Sequence, residues 1–262
     1  MNPILSLLSF SLAVGVLAAP KAATPKLLIC SDSTTANYNP SSQVLQGWGY
    51  HIADYLSIPV VNLAVNGRST RSFINEGKWQ ALLNRSVAGD FILTEMGHND
   101  DSDPWKNTKY VERGTLPGLG NSSKPIALPS GKTEIVHTFG WYLESMIADV
   151  RKVKGIPLIS GMVPRNYWTG DTFRATWPFT ETARQVAAAA KIEFIDHTKY
   201  SAAALQKLGP TGAKKLFPND NTHTDDAGAH LNAESFVIAA VCAKSPLADY
   251  LSAKGKAIKA SC

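Results

Sequence analysis

The sequence predicts an α/β protein in three layers, α/β/α, with a five-stranded, doubly wound parallel sheet between two layers of helices. Five short runs are almost continuously apolar and rich in β-branched residues, as expected for parallel strands covered on both faces. Helical patterns separate these runs, so strand and helix alternate along the chain. Because parallel strands are joined by right-handed crossovers, the simplest strand order is the 2-1-3-4-5 of doubly wound folds. A length of 262 residues with 44% hydrophobic content suits one large domain.

Each expected strand is a short run dominated by apolar residues. In chain order the strands are residues 26–30 (Lys-Leu-Leu-Ile-Cys), 60–64 (Val-Val-Asn-Leu-Ala), 91–96 (Phe-Ile-Leu-Thr-Glu-Met), 157–162 (Pro-Leu-Ile-Ser-Gly-Met) and 193–196 (Glu-Phe-Ile-Asp). The expected helices are residues 47–57, 71–86, 138–154, 180–191, 198–208 and 226–243. Residues 100–136, rich in Gly, Pro, Ser, Asn and Asp, interrupt the alternation and predict a long excursion after the third strand. Long loops of this kind are usually functional.

The N-terminus carries the pattern of a secretory signal. Residues 4–19 form an apolar run that ends in small residues before Pro20 and is too short to span a bilayer comfortably. We therefore expect a signal peptide at residues 1–18, cleaved near Ala18, followed by a single domain at residues 19–262. An N-terminal membrane anchor is the alternative interpretation. No other stretch is long and apolar enough to cross a membrane, so we expect a secreted, extracellular protein that makes no membrane contact. We also expect it to be a monomer.

The charge balance narrows the class of partner. Twenty-six Lys and Arg against 21 Asp and Glu give a net charge of +5, and the basic residues are spread along the chain. A nucleic-acid-binding protein usually clusters its basic residues, so this pattern argues against nucleic acid. An acidic polysaccharide is compatible with it.

The cysteines and sequons also fit an exported protein. Three cysteines imply one disulfide and one free thiol; Cys242 and Cys262 are the expected pair, because a C-terminal tail needs fastening. Cys30 lies in an apolar strand, where a thiol behaves as a small hydrophobic group. Asn84 and Asn121 begin Asn-x-Ser sequons and are candidate glycosylation sites.

Two polar segments carry the residue types of nucleophilic catalysis. Ser33 follows the first expected strand, and Asp220 and His223 lie together 190 residues further on. A serine hydroxyl attacks an ester only when an imidazole takes its proton, and a carboxylate orients that imidazole. The alternatives are structural: Ser33 as the N-cap of a following helix, and His223 as a solvated loop residue.

Acyl transfer also needs donors for the developing oxyanion. The backbone N–H groups of Ser33 and Gly67 and the side-chain amide of Asn99 are the candidates, since all three follow expected strands at the edge where ligands bind. A glycine suits this role because it lacks a Cβ and its N–H can approach a ligand closely.

Four sequence blocks contain these residues in order. They are Ser-Asp-Ser-Thr around Ser33, Asn-Gly-Arg-Ser around Gly67, Glu-Met-Gly-His-Asn-Asp around Asn99, and Phe-Pro-Asn-Asp-Asn-Thr-His-Thr around His223. Together they resemble the SGNH hydrolases, also called the GDSL family, and within it are most similar to fungal rhamnogalacturonan acetylesterases. The resemblance extends from about residue 27 to residue 262.

The resemblance implies a flavodoxin-like domain and a serine mechanism that uses neither a metal nor another cofactor. It implies that Ser33, Asp220 and His223 are catalytic, with Ser33, Gly67 and Asn99 forming the oxyanion hole. The implied substrate is an acetylated acidic polysaccharide, the rhamnogalacturonan backbone of pectin, from which O-acetyl groups are removed. Two departures from the family stand out: Ser31 replaces its usual Gly, and a cysteine pair often found after the third strand is absent.

Other polar residues near the expected site have two interpretations each. Asp32 is expected to be a turn residue, and His98 to brace its loop rather than contact substrate. Aromatic rings in nearby loops suit either sugar stacking or partly buried packing. Arginines there suit either uronate carboxylates or solvent. The aromatic candidates are Trp105, Tyr167, Trp168 and Trp177, and the arginine candidates are Arg68, Arg71, Arg165 and Arg174.

Three functions compete. The first is a secreted serine esterase acting on acetylated pectin or another acetylated polysaccharide. The second is a lipase or thioesterase of the same superfamily, although the sequence has no long apolar lid and no Gly-x-Ser-x-Gly elbow. The third is a noncatalytic carbohydrate-binding protein. A metal site is not expected, because the sequence lacks His-Glu-x-x-His and Cys-x-x-Cys and its Asp100–Asp103 cluster lacks calcium-loop spacing.

Overall fold

Five parallel strands form the central sheet of the protein. The computed structural model describes residues 24–262, so the expected signal peptide at residues 1–18 lies outside the described residues. In chain order the strands are β1 (Leu27–Ser31), β2 (Val60–Asn62), β3 (Phe91–Glu95), β4 (Ser123–Ala127), β5 (Thr133–His137), β6 (Ile156–Ser160), β7 (Trp168–Thr169), β8 (Thr172–Phe173) and β9 (Phe194–Ile195). The sheet order is β2-β1-β3-β6-β9, which confirms the predicted 2-1-3-4-5 arrangement. All four pairings in this sheet are parallel.

Helices cover both faces of the sheet. They are α1 (Thr70–Asn75), α2 (Lys78–Leu83), α3 (Phe139–Lys152), α4 (Pro178–Ala190), α5 (His197–Lys214), α6 (Asp226–Cys242) and α7 (Ala253–Lys256). The helix expected at residues 47–57 is wrong in type, because the chain forms two short 3₁₀ helices there, Trp48–Tyr50 and Ile52–Tyr55. The helix expected at residues 71–86 is divided into α1 and α2 at Gly77, whose φ of 71° lies in the left-handed region.

The core consists of two apolar layers, one on each face of the sheet. Successive strand residues point to opposite faces. In β1, Leu27 and Ile29 pack in the layer that includes Phe236 of α6. Leu28 and Cys30 pack in the opposite layer with side chains of α2, α3 and α4. Burial on both faces explains why the strands read as nearly continuous apolar runs.

The excursion at residues 100–136 is more ordered than a plain loop. It contains an antiparallel hairpin of β4 and β5. The buried guanidinium of Arg71 donates two hydrogen bonds to the Glu134 carboxylate, at 2.7 and 2.6 Å, and a third to the Gly114 carbonyl oxygen at 2.9 Å. These contacts tie the middle of the excursion, at Gly114, and its C-terminal part, at Glu134, to α1.

The C-terminal tail is fastened covalently. Cys242, at the end of α6, forms a disulfide with Cys262. Cys30 is a free, buried cysteine, and burial raises the pKa of its thiol well above the usual value. Within residues 24–262, no helix combines the length and apolar character needed to cross a membrane.

Candidate active site

The candidate site lies beyond the carboxyl ends of β1, β2 and β3, the edge at which open parallel sheets bind ligands. Ser33 follows β1, Gly67 follows β2 and Asn99 follows β3. Asp220 and His223 lie in the loop between α5 and α6. The fold therefore brings residues from four separate parts of the chain to one edge.

Ser33, His223 and Asp220 form a continuous chain of hydrogen bonds. The Ser33 Oγ is 2.8 Å from the His223 Nε2, and the His223 Nδ1 is 2.6 Å from the Asp220 Oδ2. Because an ionised carboxylate can only accept, Nδ1 carries the hydrogen and Nε2 is left to accept the serine proton. This is the arrangement in which an imidazole can act as a general base toward a hydroxyl.

The Asp220 carboxylate accepts two further hydrogen bonds from its own loop. Its Oδ1 accepts from the backbone N–H of Thr222 at 2.6 Å and of His223 at 2.8 Å. Partial burial acts to raise the pKa of Asp220, but the bonds from the His223 backbone and ring and from Thr222 outweigh it and leave the pKa below its usual value. The carboxylate is therefore held in its charged form next to the imidazole.

The loop that carries His223 is docked onto two other segments. The backbone N–H of Gln46 donates to the Thr224 carbonyl oxygen at 2.9 Å, and the N–H of Asn166 donates to the Asn221 carbonyl oxygen at 2.8 Å. Asp225 then caps α6 by accepting from the Gly228 N–H. These bonds hold the imidazole in place over the end of β1.

The turn that carries Ser33 is fixed by its polar neighbours. The Asp32 Oδ1 accepts from the N–H and the hydroxyl of Thr34, at 2.9 and 2.8 Å, which is the turn role expected for Asp32. The Ser31 hydroxyl, at the position where the family usually has Gly, donates to the Glu95 carbonyl oxygen at 2.6 Å. Residues 33–36 form turns rather than a helix, so Ser33 is not a helix N-cap.

The three expected oxyanion donors face the same region. Among residues 24–262, the backbone N–H groups of Ser33 and Gly67 donate to no protein acceptor and are free for a ligand. Gly67 has a φ of 73°, which a residue with a side chain rarely adopts. The Asn99 amide donates to the Arg68 carbonyl oxygen at 3.1 Å and approaches the Asp32 carboxylate at 3.5 Å. These contacts orient the amide at the edge of the cleft.

A cleft of about 600 Å³ opens over Ser33 and His223. Its charged lining consists of Lys109, Arg113 and Arg165 against one carboxylate, Asp101. An open cleft with this balance attracts anions. His98 also lines the cleft but is 6% exposed, and burial, with the neighbouring Arg165, lowers its pKa to about 3, so its ring is neutral.

Two buried carboxyl groups lie beneath the site. Burial raises the pKa of Asp100 to about 7, although the N–H and hydroxyl of Thr70 donate to its carboxylate. Burial also raises the pKa of Asp32, against the opposing effect of the Thr34 bonds. Both groups accept hydrogen bonds from protein donors and neither lines the cleft, which indicates a structural role.

The arginine candidates are corrected by the structure. Arg71 is 0% exposed and bound to Glu134, so it is not available to a substrate. Arg68 is paired with Glu76 at 2.9 Å, and Arg174 lies 4.0 Å above the ring of Trp177. Of the four, only Arg165 lines the cleft.

The aromatic candidates are also displaced from the cleft, since none of the four lines it. Trp177 is 4% exposed, and the Trp105 indole N–H donates to the Pro125 carbonyl oxygen. The tyrosines that do line the cleft, Tyr38 and Tyr110, were missed from the sequence. The Tyr38 hydroxyl donates to the Ser33 carbonyl oxygen at 3.0 Å, and burial raises its pKa to about 12.

Lys109 and Arg113 were missed as well. Both belong to the excursion after β3, whose length indicated function but whose individual residues carried no motif. Only the path of the chain shows which of its cations reach the cleft. Within the described part of the chain, no group of three or more His, Cys, Asp or Glu residues is placed to hold a metal ion.

Comparisons with known proteins agree with this architecture. The model of the GDSL-like lipase/acylhydrolase family matches residues 32–234. A rhamnogalacturonan acetylesterase from Emericella nidulans is 33% identical over 233 residues, which cover 88% of this chain and 91% of that protein. A probable rhamnogalacturonan acetylesterase from Bacillus subtilis, YesY, is 29% identical, with 78% and 87% of the two chains covered.

Among solved structures, the Bacillus subtilis protein YxiM superimposes with a TM-score of 0.68 over 86% of this chain. The chain spans 58% of the length of YxiM, and the identity is 21%. At that identity the likeness shows the α/β fold alone.

Proposed function

Since the chain belongs to the GDSL-like lipase/acylhydrolase family and is an esterase of that type, we propose that it removes O-acetyl groups from the rhamnogalacturonan backbone of pectin. The observation that carries the catalytic part is the hydrogen-bond chain from Ser33 through His223 to Asp220. The substrate part is supported by the names of two relatives and by the cationic lining of the cleft. We further propose that the protein is secreted, on the basis of the apolar run at residues 4–19.

The proposed mechanism has two acyl-transfer steps. The Ser33 Oγ attacks the acetyl carbonyl carbon while its proton passes to the His223 Nε2. The negative oxygen that develops is bound by the N–H groups of Ser33 and Gly67 and by the Asn99 amide. When the bond to the sugar oxygen breaks, His223 returns the proton to that oxygen and the deacetylated sugar leaves.

The acetyl group is then bound to Ser33 as an ester. A water molecule gives its proton to His223 and attacks the same carbonyl carbon, and collapse of this second intermediate returns the proton to Ser33 and releases acetate. Asp220 keeps the imidazole in the required tautomer and stabilises its charged form in both steps.

The test is acetate release from acetylated rhamnogalacturonan by the purified chain and by Ser33→Ala. Loss of the nucleophile is expected to lower kcat by at least about a thousandfold, as for other serine hydrolases. Ser41→Ala is the matched control, because Ser41 is exposed and, among residues 24–262, its side chain hydrogen-bonds only to Asn39. Both variants should keep the native circular dichroism spectrum.

The catalytic mechanism and the substrate are tested by different results. Activity of Ser33→Ala above a tenth of the unsubstituted protein, or no covalent labelling of Ser33 by a serine-directed phosphonate, contradicts the mechanism. Turnover of long-chain esters well above that of acetylated pectin contradicts the substrate and favours a lipase instead.

A further inference from the structure

The Arg113 guanidinium is an unused cation at the entrance of the cleft. It is half-buried, yet its side chain donates no hydrogen bond to any residue from 24 to 262 and forms no ion pair there. Residues 1–23 contain no Asp or Glu that could supply a carboxylate. By contrast, Arg68 and Arg71 each have a carboxylate partner. A guanidinium has five N–H donors, and a partly buried one normally uses several of them.

A second cation lies beside Arg113. The Lys109 Nζ is 5.5 Å from the centre of the Tyr110 ring, and the Arg113 Cζ is 5.7 Å from the same ring. Lys109 also has no carboxylate partner among the described residues. Two like charges flanking one ring repel each other, and a bound anion would relieve that repulsion.

The position of Arg113 relates it to the reaction. A Cβ built on Gly67 would lie 3.0 Å from the Arg113 Nη1, so the guanidinium packs directly against this glycine. Gly67 is the proposed oxyanion donor after β2. An anion bound by Arg113 would therefore lie close to the ester group, because the Gly67 N–H donates to the carbonyl oxygen of that group in the proposed mechanism.

We propose that Arg113, assisted by Lys109, binds a carboxylate of the sugar that carries the acetyl ester or of its neighbour in the polymer. Their cationic side chains determine specificity for uronate-containing substrates. A planar carboxylate fits because it can accept two parallel hydrogen bonds from the guanidinium fork. This inference rests on the proposed function, since it assigns the residues that would recognise the acidic part of that substrate.

The test compares two forms of one substrate, acetylated rhamnogalacturonan oligomers with free carboxylates and the same oligomers with methyl-esterified carboxyls. The quantity measured is the ratio of kcat/KM for acetate release from the two forms. This ratio does not depend on the fraction of correctly folded enzyme. We expect the unsubstituted protein to prefer the free carboxylate by roughly 10- to 100-fold, mainly through KM.

Arg113→Gln should bring this ratio close to one, and Lys109→Gln should lower it by a smaller factor. Arg113→Lys should give a ratio between those of Arg113→Gln and the unsubstituted protein, because the charge is kept. Arg85→Gln is the matched control, because Arg85 is exposed, lies outside the cleft and should leave the ratio unchanged. Added NaCl should weaken the preference, because the proposed contact is partly exposed.

Two results overturn the inference while leaving the proposed function intact: equal acetate release from both forms by the unsubstituted protein, or an unchanged ratio in Arg113→Gln. The second would mean that Arg113 acts on every ester alike, as a direct oxyanion donor or as packing. If the unsubstituted protein cleaves 4-nitrophenyl acetate but releases no acetate from either oligomer, the proposed substrate is wrong and carboxylate recognition is rejected with it.

Discussion

Substituting Asp220 with Asn tests the central geometry of the site. The Asn carbonyl oxygen can still accept from the N–H groups of Thr222 and His223, so the loop should keep its shape. Its NH₂ group, however, would face the His223 Nδ1, which in the native protein donates its hydrogen to Asp220. The imidazole would then favour the tautomer with a hydrogen on Nε2, and this tautomer cannot accept the proton of Ser33.

The size of the loss follows from the exposure of the acid. Where the orienting acid of a serine hydrolase is buried, this substitution lowers kcat by roughly 10⁴-fold. The Asp220 side chain is 46% exposed, so water can replace part of its effect on the imidazole. We therefore expect a decrease of about 10²- to 10³-fold, or roughly 3–4 kcal/mol of transition-state stabilisation.

The assay is kcat for 4-nitrophenyl acetate and for acetylated rhamnogalacturonan, measured between pH 5 and pH 8. The pKa of Asp220 lies below 3.8, so the native carboxylate is charged over this whole range and the loss should appear at every pH in it. Asp171→Asn is the control, because Asp171 is exposed and has no ion-pair partner among the described residues. If Asp220→Asn keeps more than a tenth of the native kcat, Asp220 is not the orienting acid.

Two further predictions concern buried polar groups. The pKa of Asp100 is about 7 in the folded protein and 3.8 ordinarily. Between pH 4 and pH 7 the folded state therefore keeps a proton that the unfolded state releases. The free energy of unfolding should fall over this range as pH rises, by up to ~4 kcal/mol from this group. Urea unfolding of Asp100→Asn should show a smaller decrease in the free energy of unfolding between pH 4 and pH 8, and an equally steep decrease would contradict this assignment. The Glu95 carboxyl group accepts from the Trp48 indole N–H and the Ser160 hydroxyl, lies 2.9 Å from the His197 Nδ1, and is 1% exposed. Glu95→Leu leaves these three polar groups without their partner and should lower the free energy of unfolding by about 3–5 kcal/mol, with Glu95→Gln less affected; a loss below about 1 kcal/mol would show that the network contributes little.

The sheet was predictable because its strands are buried on both faces. An apolar run such as residues 91–96 identifies a covered strand, and the alternation with helices leaves few possible topologies. The helix expected at residues 47–57 failed for a tertiary reason. A Cβ at Gly47 would meet the Ala36 carbonyl oxygen at 2.3 Å, so the backbone packs too closely there for an expectation based on local pattern to hold.

The internal structure of the excursion at residues 100–136 was also not predicted from local sequence pattern. Its turn-forming composition correctly indicated that it departs from the strand-helix alternation. The β4–β5 hairpin within it was missed, although only residues 128–132, which include Pro129 and Gly131, join its two strands. Its attachment to α1 depends on Glu134 meeting Arg71, two residues 63 positions apart in the chain, and that contact leaves no local sequence signal.

The candidate catalytic residues were accessible from the sequence because each lies in a short motif, Ser33 directly after β1 and Asp220 and His223 in the loop between α5 and α6. The residues that line the cleft around them were not, because an arginine in a sequence does not reveal its partner. Arg68, within the Gly67 block, is paired with Glu76 and does not line the cleft. Whether a cation is free is a property of the tertiary structure.

The contacts of Arg71 help to position Arg113, the proposed carboxylate-binding residue. Arg71 was one of the arginines considered for either a uronate carboxylate or solvent, but it donates to the Gly114 carbonyl oxygen, one residue after Arg113. A Cβ at Gly114 would lie 1.9 Å from the Ser102 carbonyl oxygen, so only glycine permits this close approach. The buried arginine therefore fixes the backbone from which the half-buried one extends toward Gly67. A substitution at Arg71 should alter the position of Arg113 and reduce the preference for acidic substrates without touching the substrate itself.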